Sequence, residues 1–585
     1  MPAPDPREPA PKASSPAAQP TPVPPDSPAP RPAPVPPDSH LSRRALLGAT
    51  ATAAAAACAP PPAPLTSSFV GQDPAVAHRL RDASFPTAPV SKDISTRIAI
   101  VGGGVAGLAA AWRLRRAGLA EVHLVELEPE IGGTARGGLL PRSPHPLGAH
   151  YLPSPHPDCR ALELLLADLG ILLGRDPHGR AEYTPSAVVA APTERHQIGL
   201  LWDEGLYPAR DETPDEAAQW TRWRDHLRAL DGRRGADGRR LFTLPIARSS
   251  AELRHLDRVP FSRHLDDLGL TSPRLRWAVD YACRDDYGCT AAQLSAFAGL
   301  HHYLARGLED THDRHTLTWP EGNARLIRGM AERAALADNL LTATAVTAID
   351  PDSGTLTLHS VDTGATSRLH AAQILWAAPR FVLPRVLPPG RDPLPPGALT
   401  YAPWLVASVE LRTRPRGVGA PLAWDNVPVV PSGTGPIPEA SLGYVLATHN
   451  EPDTRRPGAV ITYYEPLPGD DPATLSAQRT RLLTGDLDHW TAHVRTALTA
   501  MHPGIDNEIA HMAISRWGHA MIRPVPGLLF GGPLDLARAP IGRVRPCAAD
   551  TAGLPLFEEA FYSGILAAEA ALTELGLLDP SIVET

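Results

Sequence analysis

The residues Gly102-Gly103-Gly104-Val105-Ala106-Gly107 fit the pattern G-x-G-x-x-G directly after the apolar run Arg97–Val101. Their chemistry is phosphate binding. Gly102 permits a tight turn, Gly104 lets the main chain approach a diphosphate, and Gly107 lets the following helix lie close to the strand. Val105 and Ala106 open that helix, whose unsatisfied N–H groups and positive dipole end favour an anion. Glu126 ends the next apolar run, Val122–Val125, where a carboxylate accepts hydrogen bonds from ribose hydroxyls and repels a 2′-phosphate. Strand, turn, helix, strand and acid in that order predict a bound dinucleotide other than NADP.

Other chemistries are narrowed by what the chain lacks. No CxxC or HExxH spacing occurs, so no metal site is expected. Five cysteines make no disulfide framework; Cys283 and Cys289 could pair, although buried thiols fit the spacing as well. The net charge of −8 argues against nucleic acid. Of 55 basic residues only Lys12 and Lys92 are lysines, so the folded body can form no lysine Schiff base. Proton handling must then fall to other side chains, and His519, in Arg516-Trp517-Gly518-His519-Ala520-Met521, is the expected acid, base or water holder. Tyr401, Trp404, Trp424, Asp425 and Trp517 are the expected substrate-pocket residues, with Asn426 and His449 beside them. Asp285-Asp286-Tyr287-Gly288 and His301-His302-Tyr303 either line a pocket or cap helices.

Six residues after Glu126 stands Gly132-Gly133-Thr134-Ala135-Arg136-Gly137, and here the sequence resembles the flavin amine oxidase superfamily, which includes protoporphyrinogen oxidases and phytoene desaturases. The resemblance implies FAD, with the second glycine pair on its pyrophosphate. Thr134 replaces the usual arginine, and Arg136 stands two positions later to supply the charge. It continues through most of the chain after Asp93. Gly148-Ala149-His150-Tyr151 is similar to the segment beside the isoalloxazine, and Thr318-Trp319-Pro320-Glu321-Gly322 to a turn before a helix. Val346 stands where the family's main chain meets the adenine, and Trp376-Ala377-Ala378-Pro379 is similar to the A-x-P that ends that lobe. Cys547-Ala548-Ala549-Asp550-Thr551 with Glu558-Glu559-Ala560 resembles the second FAD motif, which implies Asp550, Glu559 and Ala560 as flavin neighbours. Amine oxidases of this superfamily usually carry a lysine near flavin N5, which this chain cannot provide.

These residues need a frame. At 585 residues the chain exceeds one core. Helical composition is concentrated in 155–320, at Cys159–Gly170, Pro214–Leu230, Ser272–Cys283 and Ala291–Ala305, and strands follow at Leu340–Asp350, Thr355–Ser360 and Ser367–Trp376. The expected fold is α/β, a Rossmann-type FAD-binding domain built from 93–155, 318–400 and 525–580, with a mixed α+β substrate domain inserted as 156–317 and 401–524. Residues 1–40, dominated by Pro and Ala, are expected to be disordered. Residues 41–64 follow as a signal and Pro-rich tether: Ser42-Arg43-Arg44-Ala45-Leu46-Leu47 resembles a twin-arginine export signal, and the Ala-rich stretch after it is too short to span a membrane. Export implies the twin-arginine machinery as partner and a periplasmic protein, either released or held outside the inner membrane by a lipid on Cys58. The expected activity is FAD-dependent hydride removal from a small molecule, an amine or an activated C–C unit. A desaturase or isomerase on an apolar polyene and a non-catalytic FAD-binding protein remain open alternatives.

Overall fold

The structure is a computed structural model, which describes residues 64–86, 88–308, 315–430, 435–451, 457–577 and 579–583. The leader, the arginine pair and Cys58 lie outside the described residues. The chain from Ala63 onward forms one unit. It begins with strand β1 (Thr66–Val70), the edge of a nine-stranded sheet.

A second sheet, of seven strands, holds the glycine turn. Strand β2 (Val90–Val101) ends in Ile98-Ala99-Ile100-Val101, buried on both faces, as a central parallel strand requires. Helix α1 (Val105–Arg116) returns over the sheet, and β3 (Val122–Val125) pairs in parallel with β2. On the other side of β2, in parallel register, runs β4 (Thr366–Trp376). Val544–Pro546 adds to the end of β4 and Leu340–Leu341 to β3, again in parallel, while Thr355–Ser360 and Thr344–Asp350 complete the sheet antiparallel. The ends of β2, β3 and β4 and the Val544–Pro546 strand come from distant parts of the chain and converge on one rim.

The nine-stranded sheet is mainly antiparallel. Strand β5 (Tyr401–Leu411) pairs with Ala459–Pro466 on one side. Further along stands β6 (Asp425–Pro428), between Tyr444–Leu446 and Glu194–Ile198. On the other side of β5 runs β7 (Ile509–Ile522), which carries β1 on its free edge. The β5–β7 register slips between Ala402 and Trp404, so that Gly518–Ala520 stand opposite Pro403 alone. Such a bulge re-aims side chains.

Helices α2 (Pro273–Tyr287) and α3 (Ala296–Leu304) belong to a lobe drawn from 155–305, and start on Ser272 and Ser295, whose hydroxyls accept from Leu275 and Ala298 N–H. The last helix, α4 (Phe557–Glu574), lies on α1. At Gly564 the contact is so close that a Cβ would stand 2.0 Å from the Ala106 carbonyl oxygen. All four described cysteines, Cys283 and Cys289 included, are buried free thiols. Among the described residues no helix is long and apolar enough to cross a membrane.

Candidate functional site

Two glycine turns face each other at the rim of the seven-stranded sheet. Gly102 has φ +106°, and a Cβ on Gly107 would stand 1.9 Å from the Gly102 carbonyl oxygen, so turn and helix require glycine at both places. Gly132 N–H donates to Gly103 O at 2.8 Å, which draws the second turn against the first. Between Gly104 and Gly133 the space stays open: a Cβ added to Gly104 would meet only Gly133 Cα, at 4.0 Å. Helix α1 opens there with no side-chain cap. Arg136 is 6% exposed, and its Nε has no hydrogen-bond partner among the described residues. An uncapped helix start, an open glycine cradle and an unsatisfied guanidinium N–H suit a diphosphate.

The Glu126 carboxylate accepts from Gly103 N–H at 2.7 Å and Glu128 N–H at 2.9 Å. Burial lifts it above the usual carboxylate range, against the pull of these donors and Arg136. Val346 sits at a bulge of the sheet's edge strand with its side chain in the core beneath, which leaves its main chain as the part able to meet a ligand.

Asp550 closes the other end. Its Oδ2 accepts from Arg380 N–H at 2.6 Å and from Tyr401 Oη at 2.8 Å, while the buried Oδ1 has no hydrogen-bond partner of standard geometry among the described residues. An orphaned carboxylate oxygen of this kind is satisfied by a ligand hydroxyl. Tyr401 therefore belongs to this end and not to the pocket where the sequence expected it. Ala560 lies in the first turn of α4, but Glu559 turns to the helical lobe. Its carboxylate accepts from Ile246 N–H at 2.6 Å, and burial pushes it up to about 8. Its neighbour Glu558 pairs with Arg306 at 2.8 Å.

Leu147–Tyr151 joins this rim to the interior. Gly148 presses on the Thr134 carbonyl, which accepts from Ala149 N–H at 2.9 Å. Four elements then hold its carbonyls: Trp517 Nε1 donates to Leu147 O, Tyr464 Oη to Gly148 O, Thr318 Oγ1 to His150 O and Asn323 Nδ2 to Tyr151 O, at 2.7, 2.9, 2.8 and 2.8 Å. The His150 ring stands 4.7 Å from Tyr464, 4.9 Å from Tyr151 and 5.4 Å from Trp424, and burial lowers it to about 3, so it is neutral.

Around these rings lie carboxylates. Tyr151 Oη donates to Asp286 Oδ1 at 3.3 Å, and His302 Nδ1 lies 2.5 Å from Asp286 Oδ2. Against the desolvation of burial, His302 and Arg306 hold Asp286 down to about 2. Tyr281 Oη donates to Asp425 Oδ2 at 2.9 Å, and burial lifts Asp425 to about 7. Asp285, one turn beyond Tyr281 on α2, is raised well above the carboxylate range by burial and then by Asp286, Asp425 and Glu194, against a hydrogen bond with Tyr151. Asp285, Asp425, His150 and Tyr151 nevertheless keep accessible surface. These side chains form one polar and aromatic cluster at the inner end of Leu147–Tyr151. Trp404 and Trp424 border it, with both indole N–H groups unpartnered among the described residues.

The structure brings Trp404, Trp424 and Trp517 into one cluster, with Asp425 on β6 next to Trp424. Tyr281, Tyr464, Arg306 and Glu194 carried no signal beyond the i, i+4 spacing of Tyr281 and Asp285. His519 stands apart. It lies in the β5–β7 bulge and is turned outward, exposed, with its ring 4.4 Å from Phe381. Burial, then Arg479, lowers it to about 4, so the ring is neutral at pH 7.

No curated protein matches the chain. Among solved structures it is similar to putrescine oxidase bound to putrescine (17% identity, TM-score 0.58, 83% of this chain and 100% of that one). Others are cyclohexylamine oxidase from Brevibacterium oxydans IH-35A (16%, 0.56, 82% and 99%) and a CLA-producing fatty acid isomerase from P. acnes (14%, 0.57, 82% and 98%). The model of the family described as flavin containing amine oxidoreductase matches residues 105–572. The diphosphate cradle and the orphaned Asp550 oxygen meet that family's requirement from within this structure, and the chain belongs to the flavin-containing amine oxidoreductases, with FAD as its cofactor.

Proposed function

We propose that this protein is an FAD-dependent oxidase or dehydrogenase of a cationic amine. The observation that carries the reading is the group of carboxylates Asp285, Asp286 and Asp425 set among the rings of His150, Tyr151, Trp424 and Tyr464. A buried carboxylate is costly without a counter-charge, and an ammonium supplies one. A polyene would leave Asp285 and Asp425 desolvated and without a counter-charge, which disfavours the desaturase alternative.

In this reading the parallel sheet is the Rossmann-type FAD domain, from 93–155, 318–400 and 525–580, and 156–317 with 401–524 form the substrate lobe. Gly104, Gly133 and Arg136 would hold the pyrophosphate, Glu126 the adenosine ribose and Asp550 a ribityl hydroxyl. Bound flavin supplies the acceptor for the hydride that leaves the carbon beside nitrogen, so that C–N becomes C=N. Asp286, held ionised by His302 and Arg306, would pair with the substrate ammonium at Oδ1, the oxygen that Tyr151 reaches, and Asp425, which burial lifts to about 7, would take its proton. His150 and Tyr151, fixed through their carbonyls, set the angle of the reacting carbon.

Anaerobic mixing of the yellow protein with a panel of amines, amino acids and polyenes tests the reading. Amines should bleach the flavin band; bleaching by polyenes alone would refute it.

A further inference from the structure

Beyond the end of β5 lies a cavity of about 640 Å³, a size usual for small-molecule sites. Its walls are the segments 190–192, 413–416 and 449–451, and no residue of the aromatic and carboxylate cluster lines it. His449, which the sequence grouped with the substrate pocket, belongs here instead. Two of the walls are tied together. His449 Nε2 donates to Ala190 O at 2.6 Å, Asn450 Nδ2 donates to Val188 O at 2.9 Å, and Asn450 Oδ1 accepts from Ala190 N–H at 3.2 Å. Glu451, the one acid of the lining, is paired with Arg142 Nη2 at 2.7 Å.

The third wall carries positive charge that nothing answers. Arg414 is half-buried, and its Nε and Nη2 have no hydrogen-bond partner among the described residues. These two nitrogens form one edge of the guanidinium. With the same edge Arg495 holds both carboxylate oxygens of Asp506, at 2.6 and 2.7 Å. Left open beside a cavity, the edge of Arg414 is a ready fork for two oxygens of one oxyanion. Buried polar groups without a protein partner are met by a ligand, ion or water. Arg416, exposed on the same wall, also makes no ion pair among the described residues. Burial and then the charge of Arg414 lower His449, so its ring is neutral at pH 7 and leaves the two arginines as the cations of the site. Two uncommitted positive charges match a phosphate monoester, which carries about −1.5 to −2 at pH 7, better than they match a carboxylate.

We propose that this cavity binds the phosphate group of a small molecule, with Arg414 Nε and Nη2 as the fork and Arg416 as the second counter-charge. The site stands independently of the amine reading, since no group of the amine cluster takes part in it.

The experiment titrates the FAD-loaded protein calorimetrically with inorganic phosphate and with acetate, at constant ionic strength. Phosphate should bind saturably and more tightly than acetate. Arg414→Gln should weaken phosphate at least about tenfold, the factor worth one charge-assisted hydrogen bond. Arg416→Gln should weaken it less, and both variants should keep the wild-type flavin spectrum. Should Arg414→Gln lose its flavin, Arg416→Gln decides alone, because its side chain is exposed and its loss leaves the fold intact. Phosphate that does not saturate, phosphate affinity unchanged in the flavin-loaded variants, or acetate bound as tightly as phosphate overturns the proposal.

Discussion

Replacing Glu126 by Gln removes one charge and turns one acceptor into a donor. Both carboxylate oxygens are in use, on Gly103 and Glu128 N–H at 2.7 and 2.9 Å. A glutamine satisfies one of these N–H groups and opposes the other with its own NH₂. A hydrogen bond to a charged acceptor is worth about 1.5–3 kcal/mol, and a buried donor left unsatisfied costs about 1–3 kcal/mol. With half of that falling on the holo form, the FAD dissociation constant should rise about 10- to 100-fold. The assay strips FAD from the protein and titrates it back by flavin fluorescence at several pH values. Burial lifts Glu126 above the usual carboxylate range, so in wild type the ribose-accepting charge is lost as pH falls through that raised value. Wild-type affinity should weaken towards acid, while the variant should lack that limb. Equal dissociation constants with superimposable pH profiles would refute the assignment of Glu126 to the cofactor.

Asp425→Asn should alter how stability depends on pH. The folded protein holds the Asp425 proton up to about 7 against an ordinary value of 3.8, so wild-type stability falls as pH rises through that window. Measured without amine, the variant should gain roughly 2–3 kcal/mol on wild type between pH 5 and 8; a pH-independent difference would contradict the burial argument. His519→Ala should slow flavin reduction less than tenfold, because the ring is exposed at a bulge and neutral at pH 7; a hundredfold loss or more, the usual worth of a general acid or base, would restore it to the site. Arg43→Lys with Arg44→Lys should leave the protein in the cytoplasm on fractionation, and Cys58→Ala should release an anchored form without blocking export. Undiminished envelope delivery of the double variant would remove the twin-arginine assignment.

The cofactor frame was legible because its logic is local. Gly102, Gly107 and Glu126 act within one strand–helix–strand unit, and each residue type follows from a clash or a hydrogen bond there. The pocket was legible only in part. Trp404, Trp424 and Asp425 announce themselves by type, but the partners that give them chemistry lie far along the chain. Tyr281 and Asp425 are 144 residues apart, Tyr151 and Asp286 are 135 apart, and nothing in either segment states the pairing. His519 was expected to handle protons from its place shortly before the second FAD motif, and its outward position in the bulge at Gly518–Ala520 is not legible in the strand's alternation. Glu559 was placed beside the flavin by motif alignment, whereas the hydrogen bond to Ile246 turns it to the lobe. Thr66–Val70 was passed over: a five-residue edge strand with two apolar members has no period to detect.

That short strand has a consequence for assembly. The 14-residue strand Ile509–Ile522 has Tyr401–Leu411 along one side, and on the other Thr66–Val70 matches His511–Ser515 residue for residue. With those five residues displaced, a long row of main-chain donors and acceptors lies open at the margin of the sheet, a template for any extended strand of another copy. The stretch Thr66–Val70 therefore covers the His511–Ser515 part of that margin and replaces it with a five-residue edge. A chain begun at Gly71 should keep its cofactor rim intact and yet grow into oligomers with concentration, visible by light scattering before any flavin is lost.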